Sequence, residues 1–288
     1  MKSGFVAVAG RPNVGKSTLV NALAGTKVAI VSDKPHTTRN RIRGVHTTAE
    51  AQLVLVDLPG WQRPIDPLTE RMQGTVDDAM SSDDVDAVLL VVSARDRIGA
   101  GDKFVARKVF SLGLPVVIVV NKIDRLKHGH VASQMKEAAT LGDFHALHPV
   151  SAKTGDGIDE LRADLVSLLP EGPFYFPPDV QTDMPLEARI AEAVREQALR
   201  LTREEVPHAI TAEVVEIDEK RVHVRLYTET ESQKQILIGK GGTMVREIGR
   251  GARPHVEALL GHPVFLQLQV KASPKWRRNE TMLERLGL

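Results

Sequence analysis

The sequence contains no cysteine among its 288 residues, and aromatic side chains make up only 4% of it. Without cysteine, the chain can form neither disulfides nor thiolate metal sites. Its ten histidines show no metal-ligand spacing, so we interpret them as surface or core residues. The longest apolar runs, such as Leu114–Val120, are too short to span a bilayer. These absences exclude a disulfide scaffold and a cysteine-ligated metal centre.

A strong charge of one sign is also lacking. The net charge is +1, with 26% charged and 42% hydrophobic residues, which is typical of a soluble globular protein. Such a balance gives no overall indication of binding to nucleic acid or membrane. The predicted first strand begins at Phe5 and leaves no room for a signal peptide, so we expect a cytoplasmic protein.

The stretch Gly10–Ser17 has the phosphate-loop pattern of Gly, four free positions and Gly-Lys-Ser. A buried strand is predicted before it at Phe5–Ala9, and a helix begins at Thr18. Loop N–H groups and the helix N-terminus would together cradle phosphates. Lys16 would reach the β- and γ-phosphates, and the Ser17 hydroxyl would bind Mg²⁺. The alternative is a glycine-rich turn that binds nothing. The candidate loop residues are Gly10, Asn13, Val14, Gly15, Lys16, Ser17 and Thr18.

Buried strands and helices alternate from the N-terminus to about Leu169. This order predicts an α/β domain: an open, mostly parallel sheet with helices on both faces. In such sheets, ligands bind at the carboxyl ends of the strands. The polar motifs of this half follow strands at Gly10–Ser17, Asp57–Gly60, Asn121–Asp124 and Ser151–Lys153. We therefore expect them to form one site, with Asp57 as a Mg²⁺ ligand or, alternatively, as a cap of the next turn.

The order and spacing of these four motifs resemble the GTPase signature. The resemblance implies that Asp124 accepts two N–H bonds from guanine, a pair that adenine cannot supply. It also implies that Asn121 braces the site, that the stem of Lys122 covers the base, and that the N–H of Ala152 donates to the guanine oxygen. Ser151 and Lys153 complete the motif. A base that leaves a buried carboxylate unpaired is rejected by several kcal/mol, so the nucleotide is expected to be GTP or GDP.

The polar stretch Ile30–Arg43 predicts a mobile loop. Within it, Thr38 resembles the switch threonine that binds Mg²⁺ and the γ-phosphate, and Thr37 is the neighbouring alternative. The N–H of Gly60 would sense the γ-phosphate. The resemblance thus implies Ser17, Thr38 and Asp57 as metal ligands, and Lys16, Thr38 and Gly60 as the catalytic set.

Trp61 departs from Ras-like GTPases, which carry a water-positioning glutamine directly after the glycine of this motif. An indole can neither orient water nor accept a proton, and Gln62 points to the other side of an extended chain. We therefore predict slow intrinsic hydrolysis that depends on a partner or an added cation. Asn13 resembles a loop asparagine that helps to hold K⁺ in some related GTPases, and the alternative is that it only shapes the loop.

The second half of the chain has a different pattern. Residues 170–185 are rich in proline and predict a linker between a nucleotide-binding domain, 1–169, and a second domain, 186–288. In the second domain the predicted order is α–β–β–α–α–β, with Pro207 ending the first helix. This order, with Gly239–Gly242 between two helices, resembles a KH domain of type II, a smaller α+β fold. A Gly-x-x-Gly loop of this kind clamps about four nucleotides, whereas the alternative is a plain helix–helix turn.

The charge distribution agrees with RNA binding. Residues 186–231 have a net charge of −4, whereas 232–288 have a net charge of +6. The near-neutral total therefore conceals a basic half that carries the glycine loop. We interpret Trp276 and its basic neighbours as a tail for base stacking and phosphate contacts, or alternatively as a frayed, solvated end. The candidate RNA-binding residues are Ile238, Gly239, Lys240, Gly241, Gly242, Arg246, Lys271, Lys275, Trp276 and Arg277.

A GTPase domain joined to a KH domain resembles the Era family, and the stretches 195–208 and 235–242 are close to it. The resemblance covers nearly the whole chain. It implies a GTP-hydrolysing switch that binds the 3′ end region of 16S rRNA and acts in 30S subunit assembly, with Mg²⁺ as cofactor. We expect a monomer, and contact of the basic tail with the inner membrane stays open.

Two other functions are compatible with the phosphate loop. One is an RNA-binding GTP sensor with negligible turnover, which Trp61 keeps in consideration. The other is a phosphate-loop metabolic kinase, but no signature of a second-substrate pocket is present, and the guanine motif argues against it.

Overall fold

A computed structural model describes residues 1–34, 36–81, 84–126 and 128–288. The chain divides into two compact units. The first comprises Met1–Ala29, Thr38–Arg63 and Met72–Asp183. The second comprises Ile30–Thr37, Pro64–Arg71 and Met184–Leu288. Among the described residues, no helix is both long and apolar enough to cross a membrane.

The first unit is built on a six-stranded sheet in the order β2-β3-β1-β4-β5-β6. Only β2 runs antiparallel to its neighbour; the other pairings are parallel. The strands are β1 (Lys2–Ala9), β2 (Ile42–Thr47), β3 (Ala51–Asp57), β4 (Ala87–Ser93), β5 (Val116–Asn121) and β6 (Ala146–Val150). The predicted open, mostly parallel sheet is therefore confirmed.

Strands β3, β4 and β5 are buried along their whole length, because helices cover both faces of a parallel sheet. These helices are α1 (Lys16–Ala24), α2 (Pro67–Met80), α3 (Ala100–Phe110), α4 (His128–Ala138) and α5 (Ile158–Leu168). The polar stretch 30–43 forms no regular element before β2 in its described residues, and Pro35 lies outside them.

The proline-rich stretch after α5 is attached to the first unit. Ser3 N–H donates to the Pro170 carbonyl at 3.0 Å, and Val45 N–H donates to the Gln181 carbonyl at 2.8 Å. The side-chain oxygen of Gln52 accepts from the N–H groups of Tyr175 and Phe176 at 2.8 and 2.9 Å. The domain boundary at 169 stays a prediction, and much of the predicted linker has backbone hydrogen bonds to the sheet.

The second unit contains the predicted α–β–β–α–α–β order. Its sheet has the order β7-β8-β9, with β7 antiparallel and β9 parallel to β8. The elements in this order are α6 (Leu186–Leu201), β7 (Thr211–Ile217), β8 (Arg221–Thr228), α8 (Glu231–Ile238), α9 (Thr243–Leu260) and β9 (Phe265–Ala272), with short helices α7 (Val206–Ala209) and α10 (Glu280–Arg285) in addition. Apolar faces of α6 and α9 pack with β8 in one core.

The prediction that Pro207 ends the first helix of this unit is wrong. Helix α6 ends at Leu201, and the hydroxyl of Thr202 donates to the Ala198 carbonyl at 2.7 Å. Pro207 lies in the first turn of α7 instead. The first turn of a helix tolerates proline, because its N–H groups need no partner within the helix.

Candidate functional site

The phosphate loop Gly10–Ser17 connects β1 to α1, as the sequence predicted. Lys16 is buried beneath it, and its ammonium donates to the carbonyls of Gly10 and Arg11 at 3.2 and 3.1 Å. Burial lowers the pKa of Lys16 to about 8, although the nearby carboxylate of Asp57 opposes this shift. The loop therefore holds its cation through its own backbone carbonyl groups.

Ser17, Thr38 and Asp57 form a cluster of oxygen atoms. The hydroxyls of Ser17 and Thr38 lie 2.8 Å apart, and the Thr38 hydroxyl donates to Asp57 Oδ2 at 3.4 Å. Burial raises the pKa of Asp57, while Lys16 acts in the opposite direction. Oδ1 of Asp57 is buried and has no hydrogen-bond partner among the described residues. A carboxylate oxygen left unpaired beside two hydroxyls fits Mg²⁺, which binds oxygen ligands.

The geometry also separates the two neighbouring threonines. The hydroxyl of Thr37 donates to the backbone carbonyl of Lys34 at 2.7 Å, whereas the hydroxyl of Thr38 faces Ser17 and Asp57. Thr38 is therefore the better candidate for the metal-binding switch residue.

The guanine motifs lie against the phosphate loop. The amide of Asn121 donates to the Val14 carbonyl at 3.0 Å, and its oxygen accepts from the N–H groups of Lys122 and Ala152 at 2.8 and 3.1 Å. The predicted bracing contact of Asn121 is thus present. The Ala152 N–H, predicted to face the guanine oxygen, donates to Asn121.

Asp124, the residue expected to accept hydrogen bonds from guanine, is held by a neighbouring side chain. The Ser151 hydroxyl donates to Asp124 Oδ1 at 2.8 Å, which fixes the carboxylate. The ammonium of Lys122 donates to the Asn13 carbonyl, and burial lowers the pKa of that lysine. This hydrogen bond connects the predicted guanine-binding motif to the phosphate loop.

Trp61 is held in the apolar core rather than beside water. Its ring is 8% exposed and packs edge-on against Phe104, with ring centroids 6.5 Å apart. The backbone N–H of Trp61 donates to the Gly10 carbonyl at 3.4 Å. The backbone at Gly60 and Trp61 is therefore anchored next to the phosphate loop, while the side chain that follows Gly60 is buried and carries no group that could accept a proton from water.

Sequence reasoning missed one contact of the loop. The guanidinium of Arg11 binds Asp102 Oδ1 at 2.7 Å, and Asp102 Oδ2 accepts from the Gly99 N–H at 2.9 Å. Asp102 is buried in the first turn of α3. The only sequence signal was an acidic residue three positions after Gly99, a common helix-start pattern that does not identify its partner.

The second unit presents the Gly-x-x-Gly loop between α8 and α9. Gly239 has φ +73°, and a Cβ there would lie 2.7 Å from the Met244 nitrogen, so a side chain does not fit. Gly241 has φ +60° but faces open space. The preceding Ile238 is half-buried, Gly242 is the N-cap of α9, and Lys240 and Arg246 are exposed. The loop thus offers accessible backbone with one cation inside the loop and a second in the first turn of α9.

The predicted stacking role of Trp276 is wrong. Its ring is fully buried, and its indole N–H donates to the Ala209 carbonyl at 2.8 Å. Arg277 is also engaged within the second unit, where its guanidinium pairs with Asp66 at 2.6 Å. Lys271 and Lys275 are exposed and remain candidates for phosphate contacts. The apolar ring packs inside because its burial is more stabilising than its exposure next to basic neighbours.

Comparison with known proteins assigns both halves. Residues 5–122 match the family model described as a 50S ribosome-binding GTPase, and residues 202–277 match the KH domain model. A crystal structure of a variant of Aquifex aeolicus Era bound to GDP·AlF₄⁻ is 38% identical, with a TM-score of 0.95, and the match covers 100% of this chain and 99% of that one. This chain belongs to the Era family of GTPases.

A second Era structure gives the same result. It is a complex with MgGDPNP and nucleotides 1506–1542 of 16S ribosomal RNA, 37% identical with a TM-score of 0.95, and the match covers 100% of this chain and 99% of that one. The predicted α/β GTPase domain followed by a KH domain is therefore confirmed, and so is the prediction of an Era-family GTPase.

Proposed function

We propose that this protein is a GTP-hydrolysing switch that binds 16S rRNA near its 3′ end and acts in 30S subunit assembly. The observation that carries this proposal is the full-length similarity to Era in complex with MgGDPNP and 16S rRNA. We also propose that the protein is a monomer, that it works in the cytoplasm, and that the 30S subunit is the particle on which it acts.

Residues of the first unit supply the groups for nucleotide and metal. Ser17, Thr38 and Asp57 would hold Mg²⁺, which supplies positive charge to the phosphate oxygens during transfer. Lys16 would hold the β- and γ-phosphates, and Asp124 with Asn121 would select guanine. Thr38 would bind at this site only when the γ-phosphate is present. The conformation of the stretch 30–43 would therefore depend on which nucleotide is bound.

Hydrolysis is proposed to be slow without a partner. Trp61 is packed in the core and cannot orient water, so the chain lacks that rate contribution. We propose that K⁺ near Asn13 or bound rRNA supplies the missing effect. A fixed cation would act there as an arginine finger acts in other GTPases.

The burial of Trp61 also favours a second candidate, an RNA-binding GTP sensor with negligible turnover. Multiple-turnover phosphate release, with and without K⁺ and a 16S rRNA 3′ fragment, separates the two functions. Acceleration by either addition supports the enzyme. A rate that stays at the uncatalysed level under all four conditions supports the sensor.

Crosslinking and sequencing of RNA bound in the presence of GTP or GDP tests the proposed target. Signal concentrated near the 3′ end of 16S rRNA, with a difference between the nucleotides, is the expected result. Signal elsewhere would overturn the rRNA assignment and leave the GTPase assignment intact. Binding to anionic lipid vesicles without RNA is the corresponding measurement for a membrane contact of the basic tail.

A further inference from the structure

Helix α3 of the first unit presents a basic and aromatic face to solvent. Its inner face packs in the apolar core of the unit. Its outer face carries four exposed side chains at intervals of three and four residues, which therefore lie side by side on the helix. We call these four side chains the α3 surface: Lys103, Phe104, Arg107 and Lys108. The helix thus offers three cations and one aromatic ring to a ligand.

Carboxylates of the described residues do not neutralise these cations. Lys103, Arg107 and Lys108 form no ion pair within that part of the chain. The acidic residue of the helix, Asp102, is buried and pairs with Arg11 at 2.7 Å instead. Three cations within two turns of one helix are therefore available to an anionic partner.

The positive charge of the first unit is concentrated in this region. By sequence the unit has 19 basic and 19 acidic residues, and five of the basic but only two of the acidic ones lie in 95–108. That stretch has a net charge of +3, whereas the rest of the unit has −3. Its two other arginines, Arg95 and Arg97, are exposed as well. A positive region on an otherwise acidic unit attracts polyanions to that region.

Helix α3 also contacts the nucleotide site of the same unit. Phe104 is 43% exposed, and its ring packs edge-on against Trp61, which follows the predicted γ-phosphate sensor Gly60. Asp102 in the first turn binds Arg11 of the phosphate loop. One helix therefore connects an exposed basic face to both the phosphate loop and the residue after Gly60.

The chemistry of the α3 surface fits RNA. Ammonium and guanidinium groups bind phosphate oxygens, and this binding releases counterions from the nucleic acid. An exposed aromatic ring among them offers a plane on which a base can stack, a contact that proteins use along single strands. An anionic bilayer would require more apolar side chains than the one on this face.

We propose that the α3 surface is a second RNA-binding site, located in the first unit, in addition to the Gly-x-x-Gly loop. Lys103, Arg107 and Lys108 bind phosphates, and Phe104 stacks on a base. Because Phe104 packs against Trp61, ordering of Gly60 by the γ-phosphate supports the stacking ring, and RNA binds this site more tightly in the GTP state. This inference rests on the proposed GTP switch and its rRNA target, and it names residues of the GTPase unit that contact the RNA.

The salt dependence of RNA binding tests the phosphate contacts. Affinity of the full-length protein for 16S rRNA is measured at several NaCl concentrations with GDPNP and Mg²⁺. Arg107→Gln/Lys108→Gln should reduce the slope of log affinity against log salt by about two, because each phosphate contact contributes about one. The matched control, Lys27→Gln/Lys136→Gln, changes two exposed lysines of the same unit outside the α3 surface and should leave the slope unchanged.

Phe104→Ala tests the stacking contact and its coupling to the nucleotide. We expect this variant to bind 16S rRNA about tenfold more weakly with GDPNP, since a base–aromatic contact is lost, and to show a smaller loss with GDP. Tyr175→Ala removes another exposed aromatic ring of the first unit and should change neither affinity.

Each part of the proposal has a result that overturns it. Equal reduction of the slope by the two double variants would overturn the phosphate site, and equal losses with GDPNP and GDP in Phe104→Ala would overturn the coupling. Unchanged affinity of the α3 variants for 16S rRNA, together with lost binding to the 30S subunit, would assign the surface to a ribosomal protein and overturn the RNA site.

Failure of the proposed function gives a different result. A parent protein that does not bind 16S rRNA would overturn the rRNA target itself. A parent that binds 16S rRNA and loses this binding in Gly241→Asp, together with unaffected α3 variants, would overturn only the second site.

Discussion

At the scale of single residues, Thr37 and Thr38 are neighbours of identical chemistry with different partners. Replacing Thr38 with alanine removes a hydroxyl that faces Ser17 and Asp57, whereas the hydroxyl of Thr37 only closes a local turn with Lys34. We expect Thr38→Ala to weaken Mg²⁺-dependent GDPNP binding about tenfold, corresponding to ~1.4 kcal/mol.

Titration of Mg²⁺ at constant GDPNP is the measurement for this pair, with Thr37→Ala as the matched control. The control should keep its Mg²⁺ dependence, because the hydroxyl that it lacks donates to the backbone carbonyl of Lys34. A larger defect in Thr37→Ala than in Thr38→Ala would reverse the assignment.

The lowered pKa of Lys16 predicts how nucleotide binding depends on pH. Its pKa is lowered to about 8 by burial, so the nucleotide-free protein loses this proton as the pH rises above that value. Bound phosphates favour the charged form and raise the pKa again. Nucleotide binding should therefore take up a proton above pH 8, and affinity should fall by up to about tenfold per pH unit there.

Calorimetry in two buffers of different ionisation enthalpy measures this proton uptake. At about pH 7 the lysine is already charged, and its contribution should vanish, which provides the internal control. Binding enthalpies that do not depend on the buffer at about pH 9 would contradict the assignment of the shifted group to Lys16.

The site residues that could be predicted from sequence are those whose chemistry requires a fixed local pattern. Lys16 and Asp57 belong to short motifs at strand ends, whose pattern indicates phosphate and metal contacts. The base contact of Asp124 is implied by the resemblance of its motif to the GTPase signature. The pair of Arg11 with Asp102 and the hydrogen bond of Arg195 to the Thr37 carbonyl could not be found in this way. Their partners are far apart in the chain, and only packing brings them together.

At the scale of elements, strands were easier to predict than one of the helices. Strands such as β4 are continuous apolar runs, because both faces of the sheet are covered. Helix α2 was missed, although Leu68, Met72, Val76 and Met80 recur at four-residue intervals. All four side chains are buried. The polar residues and Gly74 between them obscured this stripe.

The Gly-x-x-Gly loop yields a prediction about RNA. Gly241→Asp adds a carboxylate where no neighbouring atom lies within 4 Å, and aspartate tolerates the left-handed φ of +60° better than most residues, so the fold should persist. The negative charge would lie where the sugar–phosphate backbone is expected, and affinity for a 16S rRNA 3′ fragment should fall about tenfold.

Fluorescence anisotropy with a labelled rRNA fragment measures this loss. Gly261→Asp is the matched control, since Gly261 has φ +78°, also faces open space and lies at the end of α9 outside the loop. Equal losses in both variants would indicate that backbone strain, and not the loop charge, reduces binding.

At the scale of the whole molecule, local sequence patterns do not predict how the chain is divided between the two units. The sequence predicted one boundary near 170, yet residues 30–37 and 64–71 group with the second unit. The described residues of these segments form no regular strand, and their partners, such as Glu196 for Val31 and Arg277 for Asp66, are charged residues far along the chain. Hydrophobic periodicity carries no information about such contacts.

The uneven charge of the chain predicts how RNA binding responds to salt. Residues 232–288 carry a net charge of +6, whereas 186–231 carry −4. RNA affinity should fall steeply as NaCl increases, because binding to phosphates releases counterions. Lys240→Ala should reduce the slope of log affinity against log salt by about one.

The control for this slope is Lys220→Ala, an exposed lysine in the acidic half of the second unit. It should leave the slope unchanged. If Lys240→Ala and Lys220→Ala reduce the slope equally, RNA binding depends on the overall charge and not on the glycine loop.

The burial of both tryptophans has an optical consequence. The chain has only Trp61 and Trp276, one in each unit, so its tryptophan emission comes from two sites of known surroundings. Trp61 follows Gly60 and contacts the backbone of the phosphate loop, whereas Trp276 is fixed inside the second unit. With Trp276 replaced by phenylalanine, the remaining indole is a built-in probe, and exchange of GTP for GDP can be followed in real time without an attached dye.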